Sequence, residues 1–170
     1  GIAPFRLFAE GLRGRARVFY GGRTVHDLQL RERFEPLGVP LVPATEDGSL
    51  GARGRVTAPL VDHLDATPRP VRLYACGPDA LLHAVARLAE ERGLPAEVSL
   101  DPWMGCGIGT CLGCVVLAQD AAETRPRYRC ACTEGPVFDA ARVLWPGESS
   151  SRKRREASVA KLAAESGIGR

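Results

Sequence analysis

Five of the chain's six cysteines fall between positions 106 and 132. Cys106, Cys111 and Cys114 stand at C-x4-C-x2-C spacing, and Cys130 and Cys132 follow later. Three cysteines so spaced, with a fourth further on, suit a two-iron, two-sulfide cluster, whose small anionic core needs four converging thiolates. The backbone must also wrap closely enough to offer N–H groups to the sulfurs. Gly105, Gly107, Gly109 and Gly113 stand where such wrapping calls for close approach or a positive φ. Zinc is the principal rival, but zinc ribbons usually pair two CxxC knuckles, and a glycine-filled x4 gap argues against them. Disulfides or free thiols complete the alternatives. Spacing alone leaves Cys130 and Cys132 both open as the fourth ligand, since residues two apart on a strand share a face.

The elements that would position this loop are legible upstream. Residues 1–100 alternate strand and helix patterns, as expected of a parallel α/β sheet. Pro4 suits the first turn of a helix carrying Phe5, Phe8, Ala9 and Leu12. Arg17–Tyr20 reads as a strand stopped by Gly21-Gly22, and Thr24 as the cap of a helix through Leu28, Leu30 and Phe34. Val39–Val42 is the next strand, on an edge or near a strand start because of its proline. A glycine-rich loop over 47–51 and a helix from Thr57 to Leu64, ended by Pro68 and Pro70, follow. Val71–Cys76 is a strand running into Gly77-Pro78. Leu81, Leu82, Val85, Leu88 and Ala89 mark the clearest amphipathic helix, closed by Gly93. Glu97–Leu100 leads to the cysteine loop. Beyond it, Val115–Ala118 and Arg127–Ala131 read as a hairpin turning over 121–126, and Val143–Trp145 as a terminal strand or plug.

Composition bounds the possibilities. A chain of 170 residues, 45% hydrophobic and 25% charged, is globular. It holds no run of apolar residues long enough to span a bilayer and no secretory pattern at its start, so neither membrane nor export is expected. Cysteine crowding favours metal in a reducing compartment, hence a cytoplasmic location. The net charge of +3 sits in residues 146–170, a basic polar tail expected to be disordered or weakly helical over 156–166. The remaining body is neutral, which gives no footprint for nucleic acid.

These residues resemble the ferredoxin-reductase type of nicotinamide-binding domain. Gly1-Ile2-Ala3-Pro4 is similar to the end of its Gly-Gly-x-Gly-x-x-Pro turn, and Tyr74-Ala75-Cys76-Gly77-Pro78-Asp79 to its Cys-Gly-Pro strand end. Leu81 stands near the place where that family often has methionine. One branch carries a [2Fe–2S] cluster directly after this domain: the electron-transfer subunit of the two-subunit, NAD-dependent bacterial dihydroorotate dehydrogenase. Val98–Gly109 resembles its V-S-L-E-x-x-M-x-C-G-x-G run, with Asp101 in place of Glu. Cys132–Phe138 resembles its last ligand and the Gly-Pro-Val-Phe that follows, and this selects Cys132 over Cys130.

The resemblance implies a parallel-sheet nicotinamide domain over 1–100, lacking its first strand, and a small β-rich [2Fe–2S] domain over 101–145 with Cys106, Cys111, Cys114 and Cys132 as ligands. It implies NAD near Gly1, Pro4, Gly21, Arg23, Glu46, Asp47, Cys76, Gly77 and Pro78. The acids would disfavour a 2′-phosphate, and Cys76 would lie by the nicotinamide. FAD would be bound chiefly by a β-barrel that precedes this domain in the family and is not read in residues 1–100. The chain is thus expected to be a fragment, with little activity alone. The expected partner is an FMN-containing subunit that oxidises dihydroorotate, in a heterotetramer. No side chain here is expected to be a general acid or base. Trp103 and Met104 could shield the cluster or pack beside it. Ile108 and Leu112 are suited to a docking face, and His26, His63 and His83 to surface or packing positions.

Overall fold

A computed structural model describes every residue except Arg13, Pro68, Arg69, Ala121 and residues 146–170. The expected basic tail and its weak helix lie outside the described residues, as does Pro68. Two units divide the chain between Ser99 and Leu100.

In the first unit, helix α1 (Ala3–Gly11) carries Pro4 in its first turn, where a missing N–H removes no helical bond. Its buried Ala9 joins Ile2, Phe34 and Val39 in a core that Phe5, Val18, Tyr20 and Leu41 extend. Strands β1 (Val18–Gly22), β2 (Leu41–Thr45) and the short β3 (Ala52–Arg53) pair in parallel, in that order. After helix α2 (Thr57–Ala66), strand β4 (Leu73–Cys76) pairs in parallel with β5 (Ala96–Ser99). Helix α3 (Asp79–Arg92) connects them and buries Leu82, Val85, Leu88 and Ala89, one face at helical spacing. Gly93 ends it in the left-handed conformation, where its N–H reaches the carbonyls of Ala89 and Glu90.

β1 and β4 each close one side of their ladders. Val18–Gly21 and Leu73–Cys76 both line a cavity of about 780 Å³, with Ile2, Phe5 and Leu60 also on its wall. The parallel α/β class therefore holds, in two ladders with a cavity between β1 and β4.

Several local expectations are corrected. Gly21 and Gly22 do not stop β1 but belong to it. Thr24 caps a single 3-10 turn, Val25–Asp27, through a reciprocal capping box, and Arg31–Arg33 and Glu35–Leu37 are further isolated turns. No α-helix joins them: Leu30 turns left-handed at φ 61° and Gly38 closes the segment at φ 64°. Leu28 and Phe34 are nonetheless fully buried, so burial rather than helical regularity explains their spacing. Strand β2 starts two residues later than expected and contains Pro43. Pairing with β3 begins only at Ala44, so the proline lies where β2 has one partner.

In the second unit, β6 (Val115–Ala118) and β7 (Arg127–Cys130) form the antiparallel hairpin, with Val115 opposite Cys130. Val143 bridges to Ala118 and Trp145 is buried, so the terminal plug is present. One helical turn, α4 (Ala131–Glu134), and a short strand, β8 (Val137–Asp139), escaped the sequence reading.

Candidate iron–sulfur site

The cysteine loop folds around its own sulfurs. Gly107 and Gly109 adopt φ values of 71° and 81°, and Leu112, a residue without glycine's freedom, is also left-handed at 56°. A Cβ on Gly105 would come within 3.1 Å of the Cys111 sulfur. These turns aim backbone donors inward. The N–H groups of Ile108 and Cys111 donate to Cys106 Sγ at 3.5 and 3.4 Å, and that of Gly113 to Cys111 Sγ at 3.4 Å. Such donors stabilise negative charge on sulfur. The Ile108 and Cys111 N–H groups hold the Cys106 thiol down at about 6.

Cys106 and Cys111 meet through their side chains, and so do Cys114 and Cys132. The Cys114 sulfur accepts the Cys132 N–H, the chief cause of its lowered pKa. The Cys132 sulfur accepts the Gly109 N–H, although its contact with Cys114 and burial raise it on balance. Two thiol pairs lined by backbone donors form a cradle suited to a two-iron core. Among the described residues, no group of three or more His, Cys, Asp or Glu side chains is arranged to hold a single ion.

Cys130 is drawn to the same place but differs in chemistry. Its thiol donates to the Gly109 carbonyl at 4.0 Å, and burial followed by the Cys114 charge raises its pKa. Cys130 ends β7 while Cys132 lies in α4, so the two are not related by a strand's alternation.

Trp103 is 95% exposed and neither shields the loop nor packs against it. Together with Met104, Ile108, Leu112, Tyr128 and Val137 it makes this unit's exposed large apolar side chains.

The nucleotide candidates fall into two groups in the first unit. Gly1 lies against Cys76 and Gly77, where a Cβ on Gly1 would meet the Cys76 carbonyl oxygen. Gly1, Gly21, Cys76, Gly77 and Pro78 all line the cavity. Arg23, Glu46 and Asp47 gather elsewhere, at the carboxyl ends of β1 and β2. There the N–H groups of Glu46 and Asp47 donate to the Gly22 and Arg23 carbonyls. Asp27 already occupies the anion position of this turn, accepting both Arg23 N–H and Thr24 N–H at 3.0 Å, with Arg23 Nε at 3.8 Å. Asp47 accepts the Ser49 N–H and hydroxyl, which lower its pKa. Pro4 lies in the first turn of α1 and is not part of the cavity wall. His63 packs its ring against Phe19, at 5.5 Å between centroids.

Parallel strands with crossing helices, followed by a thiol-lined loop, make the chain similar to a class, iron–sulfur proteins of ferredoxin-reductase-like build. A solved structure of an NADH-dependent reduced ferredoxin-NADP oxidoreductase, described for flavin-based electron bifurcation, superposes with a TM-score of 0.71 at 28% identity. That match covers 99% of this chain and 59% of the other. Within the class, residues 101–144 match the iron–sulfur cluster binding domain of dihydroorotate dehydrogenase B. The NAD(+)-dependent dihydroorotate dehydrogenase B electron-transfer subunit of Desulforamulus reducens is 32% identical over 148 residues, 85% of this chain and 55% of the relative. The subunit of Bacillus caldolyticus is 38% identical over 135 residues, 79% and 45% of the two chains. A probable counterpart in Archaeoglobus fulgidus is 35% identical over 150 residues, 85% and 58%. Over most of its length the chain is similar to dihydroorotate dehydrogenase B electron-transfer subunits, and it spans about half the length of the relatives it matches. Among the described residues, no helix is long and apolar enough to cross a membrane.

Proposed function

We propose that this chain is the electron-transferring part of an NAD-dependent dihydroorotate dehydrogenase and that Cys106, Cys111, Cys114 and Cys132 hold a [2Fe–2S] cluster. The observation that carries the reading is the pairing of Cys106 with Cys111 and of Cys114 with Cys132, with backbone N–H groups directed at the sulfurs. When bound, such a cluster accepts and releases one electron at a time, the counterpart to a nicotinamide that delivers two. The residues around it position thiolates and donate to sulfur. None is required to move a proton.

Nicotinamide is proposed to approach the carboxyl ends of β1 and β4, where Gly1, Gly21, Cys76, Gly77 and Pro78 line the cavity. The cavity between β1 and β4 supports a sheet that takes one more strand there. FAD is proposed to bind chiefly through a domain outside this chain. NAD is favoured over its 2′-phosphorylated form by Glu46 and Asp47. The domain limits proposed are 1–100 for the nicotinamide part and 101–145 for the cluster part. Exposed Ile108 and Leu112 beside the thiols suit docking of an FMN-bearing, dihydroorotate-oxidising subunit, in a heterotetramer within a reducing cytoplasm.

The test is co-purification with such a subunit, iron and acid-labile sulfide per chain, and dihydroorotate-dependent NADH formation. About two irons and two sulfides with NADH formation are expected. Zinc without sulfide sinks the cluster. A loaded cluster that exchanges electrons only with ferredoxin favours a second reading, a reductase like the ferredoxin-NADP oxidoreductase neighbour.

A further inference from the structure

Glu134 closes α4, the single turn that carries Cys132, and its Oε2 accepts the backbone N–H of Cys130 at 2.9 Å. One helical turn has little stability of its own, so this side-chain bond from its last residue back to its cap residue adds a restraint to the backbone bonds of Ala131 N–H to the Cys114 carbonyl and Gly135 N–H to the Ala131 carbonyl. The other oxygen, Oε1, accepts Arg129 Nη1 at 2.9 Å. The same guanidinium reaches into the hairpin loop, where its Nη2 meets Asp120 Oδ2 and Glu123 Oε1, each at 2.7 Å. Its side chain is 20% exposed, and its planar fork meets all three carboxylates at once.

The network has further members. Arg142 takes the second oxygen of Asp120 at 2.7 Å and meets Asp139 at 3.5 Å, and Arg127 meets Glu123 at 3.4 Å. Arg127, Arg129 and Arg142 thus face Asp120, Glu123, Glu134 and Asp139. Arg129 is the member that joins the loop carboxylates to Glu134.

We propose that Arg129 is a positioning residue for the fourth cluster ligand: it grips Glu134, which holds the cap of the turn bearing Cys132, and it neutralises a carboxylate two residues from that cysteine. The proposal rests on the cluster reading above. It assigns Arg129 two separable effects, one geometric and one electrostatic. Without the grip, α4 loosens and iron escapes faster. Without the positive charge, Glu134 opposes the electron that the reduced centre must hold, because added negative charge nearby disfavours reduction.

The test uses the whole iron-loaded chain, with iron loss to a chelator and the cluster's reduction potential as readouts. Arg129→Met is expected to lose iron about tenfold faster. It is also expected to shift the one-electron equilibrium about tenfold against reduction, a potential about 59 mV more negative. Arg129→Lys keeps the charge without the fork, so it should restore the potential while iron loss stays fast. Glu134→Gln should move the potential the opposite way, to more positive values, which a merely structural role would not produce. Adding Glu134→Gln to Arg129→Met should return the potential towards the parent. Arg142→Met disturbs Asp120 without touching Glu134, and both readouts should stay within twofold of the parent.

Unchanged potential and iron loss in Arg129→Met overturn the proposal, as does an equal shift in Arg142→Met. If Arg129→Met cannot be purified, the faster iron loss expected of Arg129→Lys and the more positive potential expected of Glu134→Gln decide it, and the absence of both overturns the proposal. A parent chain without iron and sulfide sinks the cluster reading itself. A loaded parent with indifferent variants sinks only the clamp.

Discussion

The backbone N–H of Cys111 donates to the sulfur of Cys106 at 3.4 Å, so one cysteine of the loop orients the next before any metal arrives. The x4 gap between them makes this contact possible, because Gly107 and Gly109 turn left-handed inside it. Preorganised N–H donors lower the penalty of gathering thiolates in one place.

The fourth ligand is decided by serine substitution. Cys132 accepts the Gly109 N–H whereas Cys130 donates its thiol to the Gly109 carbonyl. Cys132→Ser is expected to abolish or strongly alter the visible absorption of the cluster, and Cys130→Ser to leave iron and sulfide near parent values. The reverse pattern would place the ligand on β7.

Gly109→Ala should damage the loop. At φ 81° an L side chain is strained by roughly 1–2 kcal/mol, and the new Cβ would press on Thr133 at 3.2 Å. Iron content after purification should fall by at least half. Gly11→Ala, at the end of α1 with open space around it, is the control and should be neutral or slightly stabilising in urea.

Leu82 is fully buried on α3. Leu82→Ala should lower the unfolding free energy by about 2–5 kcal/mol, read from the urea midpoint. His83, its neighbour in sequence but only partly buried, should tolerate alanine far better.

Trp103 stands in the solvent. Trp103→Ser should change stability by no more than about 0.5 kcal/mol. If its exposed ring belongs to the docking face beside Ile108 and Leu112, the same change should weaken binding of the proposed dihydroorotate-oxidising subunit at least fivefold in a titration. An unchanged affinity removes Trp103 from the docking face.

Acid should loosen the hairpin loop. The Asp120 N–H, followed by Arg129, holds the Glu123 carboxyl below its ordinary range. A depressed pKa contributes stability above the unfolded carboxylate value, and that contribution is lost as pH falls through the folded one. Near-UV circular dichroism of the parent should therefore fade below about pH 4.3, and Glu123→Gln should fade less steeply over that range.

What the chain's order of residues determined by itself is local: cysteine and glycine spacing named the cluster, apolar periodicity named α3, and alternating strand and helix named a parallel α/β class. Each is a short-range pattern that any fold must satisfy within one or two turns. Burial without regularity was not legible. Leu28, Leu30 and Phe34 look helical by spacing, yet they lie in separate turns because Leu30 and Gly38 reverse the backbone. The tertiary structure alone decided that Asp27 fills the anion position beside Arg23, that Arg129 joins Asp120 and Glu123 of the hairpin loop to Glu134, and that Cys130 and Cys132 present opposite hydrogen-bonding roles to Gly109. Those relationships join residues through folded backbone, and hydrogen-bond direction depends on where each N–H and carbonyl points after the chain has turned.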